Sequence, residues 1–561
     1  MARAIGLDRV TAQCLINRGV HDPGAARAHL QGSLSDLLRP EDLPDVAAAV
    51  ARIRAAIRAR ETICVWGDYD VDGVSGTAIL VRFLRQLGAA RVVPFIPERT
   101  GSGYGFHWPT MERLARDTGV SLFVSVDHGS TAVEAVTTAR EHGLDVVVAD
   151  HHEIAPTLPP AVAIVNPKRA DSAYGFPHLC GAGVAMKLAW AVAQEMSPGA
   201  RVTDDMREFL MDALGNAVLG TVADVVPLVG ENRIIVRHGL AVLQSRGSPG
   251  IRALLDVSGA RAPLRASDVG FKLGPRLNAA GRMGSAHLAL ELLLTDDPVR
   301  AREIAEQLDR ANEQRRAVER EVAEAALEIA RRDYGARPAG GIALHGESWH
   351  HGVIGIVASR LVDTFHVPVV LVSTADGVGR GSARSVPGFA LHEALEACSE
   401  HLVSHGGHAA AAGLTIRPER FDGFRAAFQR YVEQHLPEDA RVPELAIDAE
   451  VGVHDLDAAV AAGLARLEPF GAGNPEPVLA LRGLQVVGRP RRMGARSDHV
   501  AFHLAREGRS VRCVAFRQAD ALQPLLDSGR ALDVALTPQL NTFRGAADVE
   551  GLVRDLRPAE A

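Results

Sequence analysis

Three aspartates at alternate positions close the stretch Thr62-Ile63-Cys64-Val65-Trp66-Gly67-Asp68-Tyr69-Asp70-Val71-Asp72-Gly73. Carboxylates packed so closely repel one another unless a cation neutralises them. Hard divalent ions such as Mg²⁺ or Mn²⁺ take oxygen ligands of this kind. The stretch reads either as a metal site for phosphate chemistry or as an Asp/Gly-rich turn between strand and helix. Further along, apolar runs end in Asp127-His128-Gly129-Ser130 and in Asp150-His151-His152-Glu153, and a helical segment carries Gly220-Thr221-Val222-Ala223-Asp224. One acidic strand end is ordinary; three in succession favour the metal.

The elements that must position these groups follow from apolar patterning. Strands are expected at Thr62–Gly67, Arg91–Ile96, Ser121–Val126, Asp145–Ala149 and Ala161–Val165. Helical patterns fill Thr77–Leu84 and Thr131–His142, and an amphipathic helix over residues 47–59 leads into the first strand. Near-continuous apolar strands alternating with helices imply a parallel sheet covered on both faces. Such a sheet puts the carboxyl ends of its strands on one edge, where sites form. There the acidic ends meet within a few ångströms, as a two-metal site requires.

Outside this region, residues 1 to about 45 read as short helices. Asp297-Pro298 opens a helix of roughly 35 residues, ~50 Å long, capped by Asp with Pro in its first turn. Its stripe of Ile304, Leu308, Ala311, Val318, Val322, Ala325 and Ile329 is interrupted by Arg315, and the helix reads as a rigid strut. After Pro338, strands at Gly341–Leu344 and Pro368–Ser373 flank a helical pattern at Val353–Val362. Two glycine-rich segments, Gly379–Ser385 and Gly406–Gly413, read as turns or as anion grips. From about Pro443, short strands at Val478–Leu481, Leu484–Val487, Val500–Leu504, Val511–Phe516 and Leu532–Leu536 suit a small β-barrel such as an OB-fold. Nine arginines against two acids lie between Arg482 and Arg517, among them Arg489, Arg491 and Arg492. With His499, Phe502, His503 and Phe516 interleaved, they suit base stacking and backbone neutralisation, or else a solvated charged face.

Composition bounds the rest. At 561 residues and 47% hydrophobic the chain holds several domains. A net charge of −7 excludes a uniformly basic nucleic-acid binder, so such a surface must be local. Lysine occurs only at Lys168, Lys187 and Lys272, a bias attributable to genome composition. No run of ~18 apolar residues argues for a membrane helix, and the N-terminus lacks the apolar segment of a signal peptide. Five scattered cysteines argue against a disulfide framework or a cysteine zinc site and suit a reducing cytoplasm.

Taken together, Gly67–Gly73, Val126-Asp127-His128-Gly129, Asp150-His151-His152 and Gly220–Leu228 resemble the four motifs of the DHH phosphoesterase superfamily. Gly406–Gly413 resembles the glycine-rich signature of its DHH-associated domain. Pro275–Arg282 and Gly352–Ala358 narrow the resemblance to the branch of single-strand-specific DNA exonucleases that run 5′ to 3′. It covers residues from about 10 to 555. His128 stands where many members have Asn, the β-rich end matches loosely, and a further C-terminal domain carried by some members is not expected here.

The resemblance implies an α/β fold: a parallel-sheet DHH domain (46–295) after an N-terminal helical segment (1–45), a long connecting helix (296–336), a smaller α/β DHH-associated domain (337–440) and an OB-like β-barrel domain (441–561). It implies two divalent metal ions, Mn²⁺ preferred and Mg²⁺ usable, held by Asp70, Asp72, Asp127, His151 and Asp224, with Asp68 and His152 in or beside the coordination sphere. Asp127 is the expected bridge, and Asp150 either orients a ligand histidine or caps a turn. Arg99, Arg282, Ser382 and Arg384 are expected to grip the 5′-terminal phosphate, and His408 to touch the phosphate near the scissile bond. Arg276, Arg489, Arg491 and Arg492 complete the DNA-binding set. The implied activity is hydrolysis of single-stranded DNA to mononucleotides in DNA repair and recombination, by a cytoplasmic monomer working with a helicase and a single-strand-binding protein and without a membrane. Rival readings are a DHH phosphodiesterase acting on short oligonucleotides or cyclic dinucleotides, and a catalytically inactive DNA-binding scaffold. Asp70-Val71-Asp72-Gly73 also resembles the opening motif of haloacid-dehalogenase phosphatases, but no lysine lies in the matching motif and Asp150-His151-His152 is left unexplained.

Overall fold

The computed structural model describes residues 2–98, 105–199, 201–283, 286–375, 377–541 and 548–560. The Val- and Ile-rich runs form strands β1 (Thr62–Gly67), β2 (Arg91–Phe95), β3 (Val120–Val126), β4 (Asp145–Ala149) and β5 (Ala163–Val165). They pair in parallel in the order β2-β1-β3-β4-β5. Helices α1 (Val71–Gln86), α2 (Gly181–Met196) and α3 (Asp204–Ala223) cover one face. Trp66, Phe106 and Phe123 pack on the other. Buried on both faces, the strands need no polar alternation, which is why they read as unbroken apolar runs. Register sets the site: Gly67 lies opposite Val126, Val126 opposite Ala149, and Ala149 opposite Val165. The next residues on β1, β3 and β4 are Asp68, Asp127 and Asp150.

Inside this domain Lys187, wholly buried on α2, donates to Glu231 Oε1 at 2.6 Å and to Leu38 O at 2.6 Å. Tyr174 donates to the other oxygen of Glu231 at 2.5 Å. The same carboxylate accepts the Leu38 amide, so the ion pair ties the N-terminal segment to the sheet layer.

After α4 (Gly274–Met283), the helix α5 runs from Pro298 to Tyr334, 37 residues, or ~55 Å at 1.5 Å per residue. Asp297 caps it by accepting the Val299 amide at 2.8 Å. Its first half gives Ala301, Ile304, Ala305 and Leu308 to the first core, and its second half gives Val322, Ala323, Ala326 and Ala330 to the next. Arg315, expected as an interruption, is buried between them. It donates to Asn312 Oδ1 and, at 2.5 Å, to Glu319, whose other oxygen pairs with Arg360. Ala311 and Ala325 sit only at the margin of the buried line.

The second domain joins β6 (Ile342–Gly346), β7 (Val369–Ser373), β8 (Gly379–Arg384), β9 (Leu402–Gly407) and β10 (Ala411–Ile416) in the order β6-β7-β8-β10-β9, with α6 (His351–Phe365) packed on it. The glycine-rich segments, expected as turns, are therefore mostly strands. A methyl on Gly381 would lie 2.6 Å from Leu414, so glycine here lets strands and side chains pack closely.

The third region closes a barrel from β12 (Leu479–Met493), β13 (His499–Arg506), β14 (Arg509–Ala515), β15 (Leu532–Asn541) and β16 (Asp548–Pro558), with β12 pairing to both β13 and β15; the short β11 (Ala449–Glu450) sits beside β12. Two expected strands, 478–481 and 484–487, are one long bent strand. The β16 strand escaped the sequence reading because Asp548, Glu550, Arg554, Asp555 and Arg557 break up its apolar run. Cys14, Leu15, Ala26 and Leu30 of the N-terminal segment share a core with Val460, Leu464, Leu467 and Leu479. Arg233, buried in the first domain, donates to His29 O, Leu467 O and Glu468 O at 2.7–2.8 Å and joins all three parts.

Replacing Glu231 by Ala leaves the buried Lys187 ammonium uncompensated, at a cost of about 3–5 kcal/mol. Thermal unfolding of E231A should show a clearly lowered midpoint; an unchanged midpoint would mean the pair contributes nothing.

Candidate metal centre

Each strand end delivers its group through the last ladder bonds. The amides of Asp68, Asp127 and Asp150 donate to Val126 O, Ala149 O and Val165 O at 3.3, 2.9 and 3.1 Å. Beyond Asp68 the chain turns into α1, where Asp70 is the N-cap, accepting the amides of Asp72 and Gly73 at 2.9 and 3.1 Å. Asp72, in the first turn, is held by the N-terminus of α2: its two oxygens accept Gly181 N at 2.6 Å and Ala182 N at 2.8 Å. Asp224 caps the C-terminal end of α3, and His151 and His152 follow β4.

These groups converge. His151 Nε2 lies 3.0 Å from Asp127 Oδ1, 3.7 Å from Asp72 Oδ2 and 3.6 Å from Asp224 Oδ2. Possible ligand atoms fall into three overlapping groups, Asp68/Asp70/Asp127, Asp72/His151/Asp224 and Asp127/His151/His152, each within 4.8 Å. Asp127 and His151 each belong to two of them. The Asp127 backbone is left-handed, with φ of 70°, a conformation that costs a non-glycine residue about 1–3 kcal/mol. The α2 N-terminus presses against it so closely that a methyl on Gly181 would lie 2.6 Å from Asp127 Cβ.

The electrostatics are those of a site built around positive charge. Burial, and then the charges of Asp72, Asp70, Asp68 and Asp224, push the Asp127 carboxyl well above the usual range. Burial and the Asp72 charge raise Asp70 likewise, and burial with Asp72 and Asp70 takes Asp224 up to about 8. Burial lowers the His151 imidazole from its ordinary value. Five carboxylates and the His151 imidazole form an oxygen-rich donor set with one nitrogen, which fits Mn²⁺ and Mg²⁺.

Asp150 stands apart. Its Oδ1 accepts the amides of His151 and His152 and the His152 ring at 2.8 Å, and its Oδ2 accepts Ser130 N at 2.9 Å. Despite burial, these partners hold it well below the usual carboxylate range. Burial opposes charge on His152, but the Asp150 hydrogen bond and charge outweigh it and take the imidazole up to about 9. His128, beside Asp127 in sequence, turns away: it is fully buried, bonded to Trp66 O at 2.9 Å and edge-on to Phe106.

Arg282 on α4 donates to Gly352 O at 2.9 Å, bridging to α6. Ser382 and Arg384 are neighbours on β8, 3.1 Å apart through Arg384 Nη1. A methyl on Gly355 would lie 2.8 Å from Ser382 Oγ and 2.9 Å from Arg384 Nη2, so both side chains lie on the first turns of α6. Arg99 lies outside the described residues. Arg276 is committed to the strut, paired with Asp309 at 2.8 Å and donating to Lys272 O. His408 is exposed in the turn between β9 and β10, and its bonds lie within that turn.

On the barrel, Arg489 and Arg491 are exposed and Arg492 pairs with Asp520 at 2.7 Å. The arginine count overstated the local charge, because folding brings in carboxylates from outside the window: Glu450 to Arg482 and Glu550 to Arg512. Phe502, expected to stack on bases, is a core residue at 2% exposure, whereas Phe516 is half exposed beside His499. Sequence reasoning missed the backbone grip of Gly181 and Ala182 on Asp72, which no side-chain motif announces.

Residues 62–214 match the DHH family, N-terminal domain, and residues 339–434 match the DHHA1 domain, which sets the class. Residues 447–555 match the RecJ OB domain. The chain is 38% identical to the single-stranded-DNA-specific exonuclease RecJ of Dickeya dadantii (strain 3937), over 94% of this chain and 93% of that one. It is 34% identical to the enzyme of the same name from Bacillus subtilis (strain 168), over 98% of this chain and 68% of that one. A crystal structure of RecJ from Thermus thermophilus in complex with Mn²⁺ superposes with a TM-score of 0.83 at 34% identity, covering 100% of this chain and 77% of that one. The chain belongs to the RecJ family.

Substituting Gly181 by Ala forces α2 away from Asp127 and loosens the amide grip on Asp72. Loss of such a supporting contact typically weakens metal binding about 10–100-fold. Titration calorimetry with Mn²⁺ should show that loss in G181A; superimposable isotherms would remove the role given to the α2 N-terminus.

Proposed function

We infer that this protein hydrolyses single-stranded DNA from its 5′ end to mononucleotides, in DNA repair and recombination. The observation that carries the reading is the convergence of Asp68, Asp70, Asp72, Asp127, Asp224, His151 and His152 on one sheet edge, beside the Arg282 bridge between two domains. Asp70, Asp72, Asp127, His151 and Asp224 would hold two divalent ions, Asp127 as the ligand shared by both, with Asp68 and His152 in or beside the coordination sphere. Mn²⁺ is preferred and Mg²⁺ usable; the Thermus relative has been crystallised with each. Bound there, the two ions supply an activated water and charge stabilisation for the leaving oxygen in an in-line displacement.

The chain's own groups do the rest. Gly181 and Ala182 fix the direction of Asp72 before any ligand arrives. Asp150 orients His152 beside the ions through the 2.8 Å bond to its ring. Arg384, Ser382 and Arg282 receive the 5′-terminal phosphate at the N-terminus of α6, where backbone amides favour an anion. Arg99 joins them in gripping that phosphate, His408 touches the phosphate near the scissile bond, and Arg489, Arg491 and Arg492 carry the strand's far end over the barrel. The ties that Arg276 makes to the strut support a positioning part rather than a direct phosphate contact.

The five-part division at 1–45, 46–295, 296–336, 337–440 and 441–561 is part of the same reading. The separate apolar cores support it, although α5 is shared between two of them and the N-terminal segment shares one with the barrel. We place the protein in the cytoplasm as a monomer, served by a helicase and a single-strand-binding protein. Its five cysteines are free and buried, and no helix among the described residues is long and apolar enough to cross a membrane. The strut and barrel favour a polymer over cyclic dinucleotides, and the full ligand set argues against an inactive scaffold.

With Mn²⁺ and a labelled single strand, mononucleotide release is expected. Asp127→Ala should abolish it while leaving strand binding largely intact; wild-type turnover in D127A would end the bridging assignment. A 5′-phosphate should speed digestion, and Arg384→Ala should remove that benefit. If R384A slows 5′-hydroxyl and 5′-phosphate strands equally, the phosphate grip lies elsewhere.

A further inference from the structure

Phe271 is 75% exposed, more than any other large apolar side chain among the described residues. It sits in a π-helical turn, Val269–Leu273, that runs directly into α4. Such turns are rare and frequent at functional sites. The turn packs on the end of α3 that carries Asp224: a methyl on Gly270 would lie 3.6 Å from Val222 Cγ1, and one on Gly274 3.7 Å from Ala223 Cβ. Val225, immediately after Asp224, is itself 68% exposed. Two of the most exposed large apolar side chains among the described residues thus flank one wall of the carboxylate cluster.

The direction of Phe271 follows from helical spacing. Phe271, Pro275, Asn278 and Arg282 recur at intervals of four, three and four residues and so share one face. That face looks onto the cleft: Asn278 Oδ1 accepts the Val71 amide of the aspartate loop at 3.1 Å, and Arg282 bonds Gly352 of the second domain. The core is served by Val269, Leu273 and Leu277, and the strut by Arg276. Phe271 therefore stands at the open end of the cleft face, ~16 Å along the helix from Arg282 at 1.5 Å per residue.

We propose that Phe271 is a stacking platform for a base of the single strand, on the 3′ side of the scissile bond. The proposal rests on the nuclease reading above. An exposed ring beside a strand path is suited to this because every base has a π-face, so stacking is indifferent to sequence. The neighbouring Lys272 Nζ is paired with Asp268 at 2.7 Å, which leaves the ring rather than the charge as the contact. Phe271 is a specificity-determining residue: it favours strands long enough to reach it.

The test is Phe271→Ala against Phe271→Trp, safe for folding because the ring is exposed. Base stacking contributes about 1–3 kcal/mol per base, so the dissociation constant of F271A for a long single strand, read by fluorescence anisotropy in chelator, should rise roughly tenfold or more. F271W should bind as the wild type does. With Mn²⁺, KM for the long strand should rise in F271A while kcat and the turnover of a 5′-phosphorylated dinucleotide hold. An abasic nucleotide walked along the strand should weaken wild-type binding at one position and leave F271A indifferent there. Equal dissociation constants for wild type and F271A overturn the proposal. Failure of the wild type to cleave any strand overturns instead the nuclease reading, while the binding comparison still stands.

Discussion

The mutual repulsion of buried carboxylates is the constraint that the rest of the first domain answers. Asp68, Asp70, Asp72, Asp127 and Asp224 could not be assembled on loops free to relax, since each would drift toward water. The register of a parallel sheet prevents that drift. With Gly67, Val126 and Ala149 side by side, Asp68 and Asp127 emerge at one level and have no other direction to take. The α2 amides then hold Asp72 with neutral donors, which compensate charge without adding a competing ligand. The left-handed backbone of Asp127 is sustained by the same neighbours.

Much of this was legible in the sequence because it rests on local patterns. An apolar strand ending in acid announces both the element and its chemical cargo, and β4 runs from Asp145 to Ala149 as its apolar run indicates. The strut was legible from Asp297-Pro298 and from Gly335 at its far end. What failed depended on contacts between distant segments. Arg315 looked like a break in a stripe because its bonds to Asn312 and Glu319, and the pairing of Glu319 with Arg360 of α6, form only in the folded packing. The arginines of the barrel looked more exposed in charge than they are, because Glu450 and Glu550 arrive from neighbouring strands. Phe502 looked like a base-stacking ring although strand alternation turns it inward.

The second domain and the barrel relate to the metal centre in different ways. The second domain meets it through Arg282 and the first turns of α6, a direct route to the cleft. The barrel meets it through the loop after Asp224: the Leu228 amide donates to Ala472 O at 2.7 Å, and Arg233 donates to the carbonyls of Leu467 and Glu468 across that junction. One partner adjoins the carboxylate cluster, and the other braces the segment that follows Asp224.

The sharing of α5 bears on how the molecule can move. Hinged enzymes close on a substrate because their halves have separate cores and a few free torsions between them. Here one unbroken helix is buried in both cores, with a salt-linked polar joint sealed at its middle. Bending it would tear apolar surface from one side or the other, so the gauge of the cleft is set when the chain folds rather than when a strand arrives. The same sharing couples the two domains thermodynamically: neither releases its half of the helix without weakening its neighbour, and they should melt as one cooperative unit.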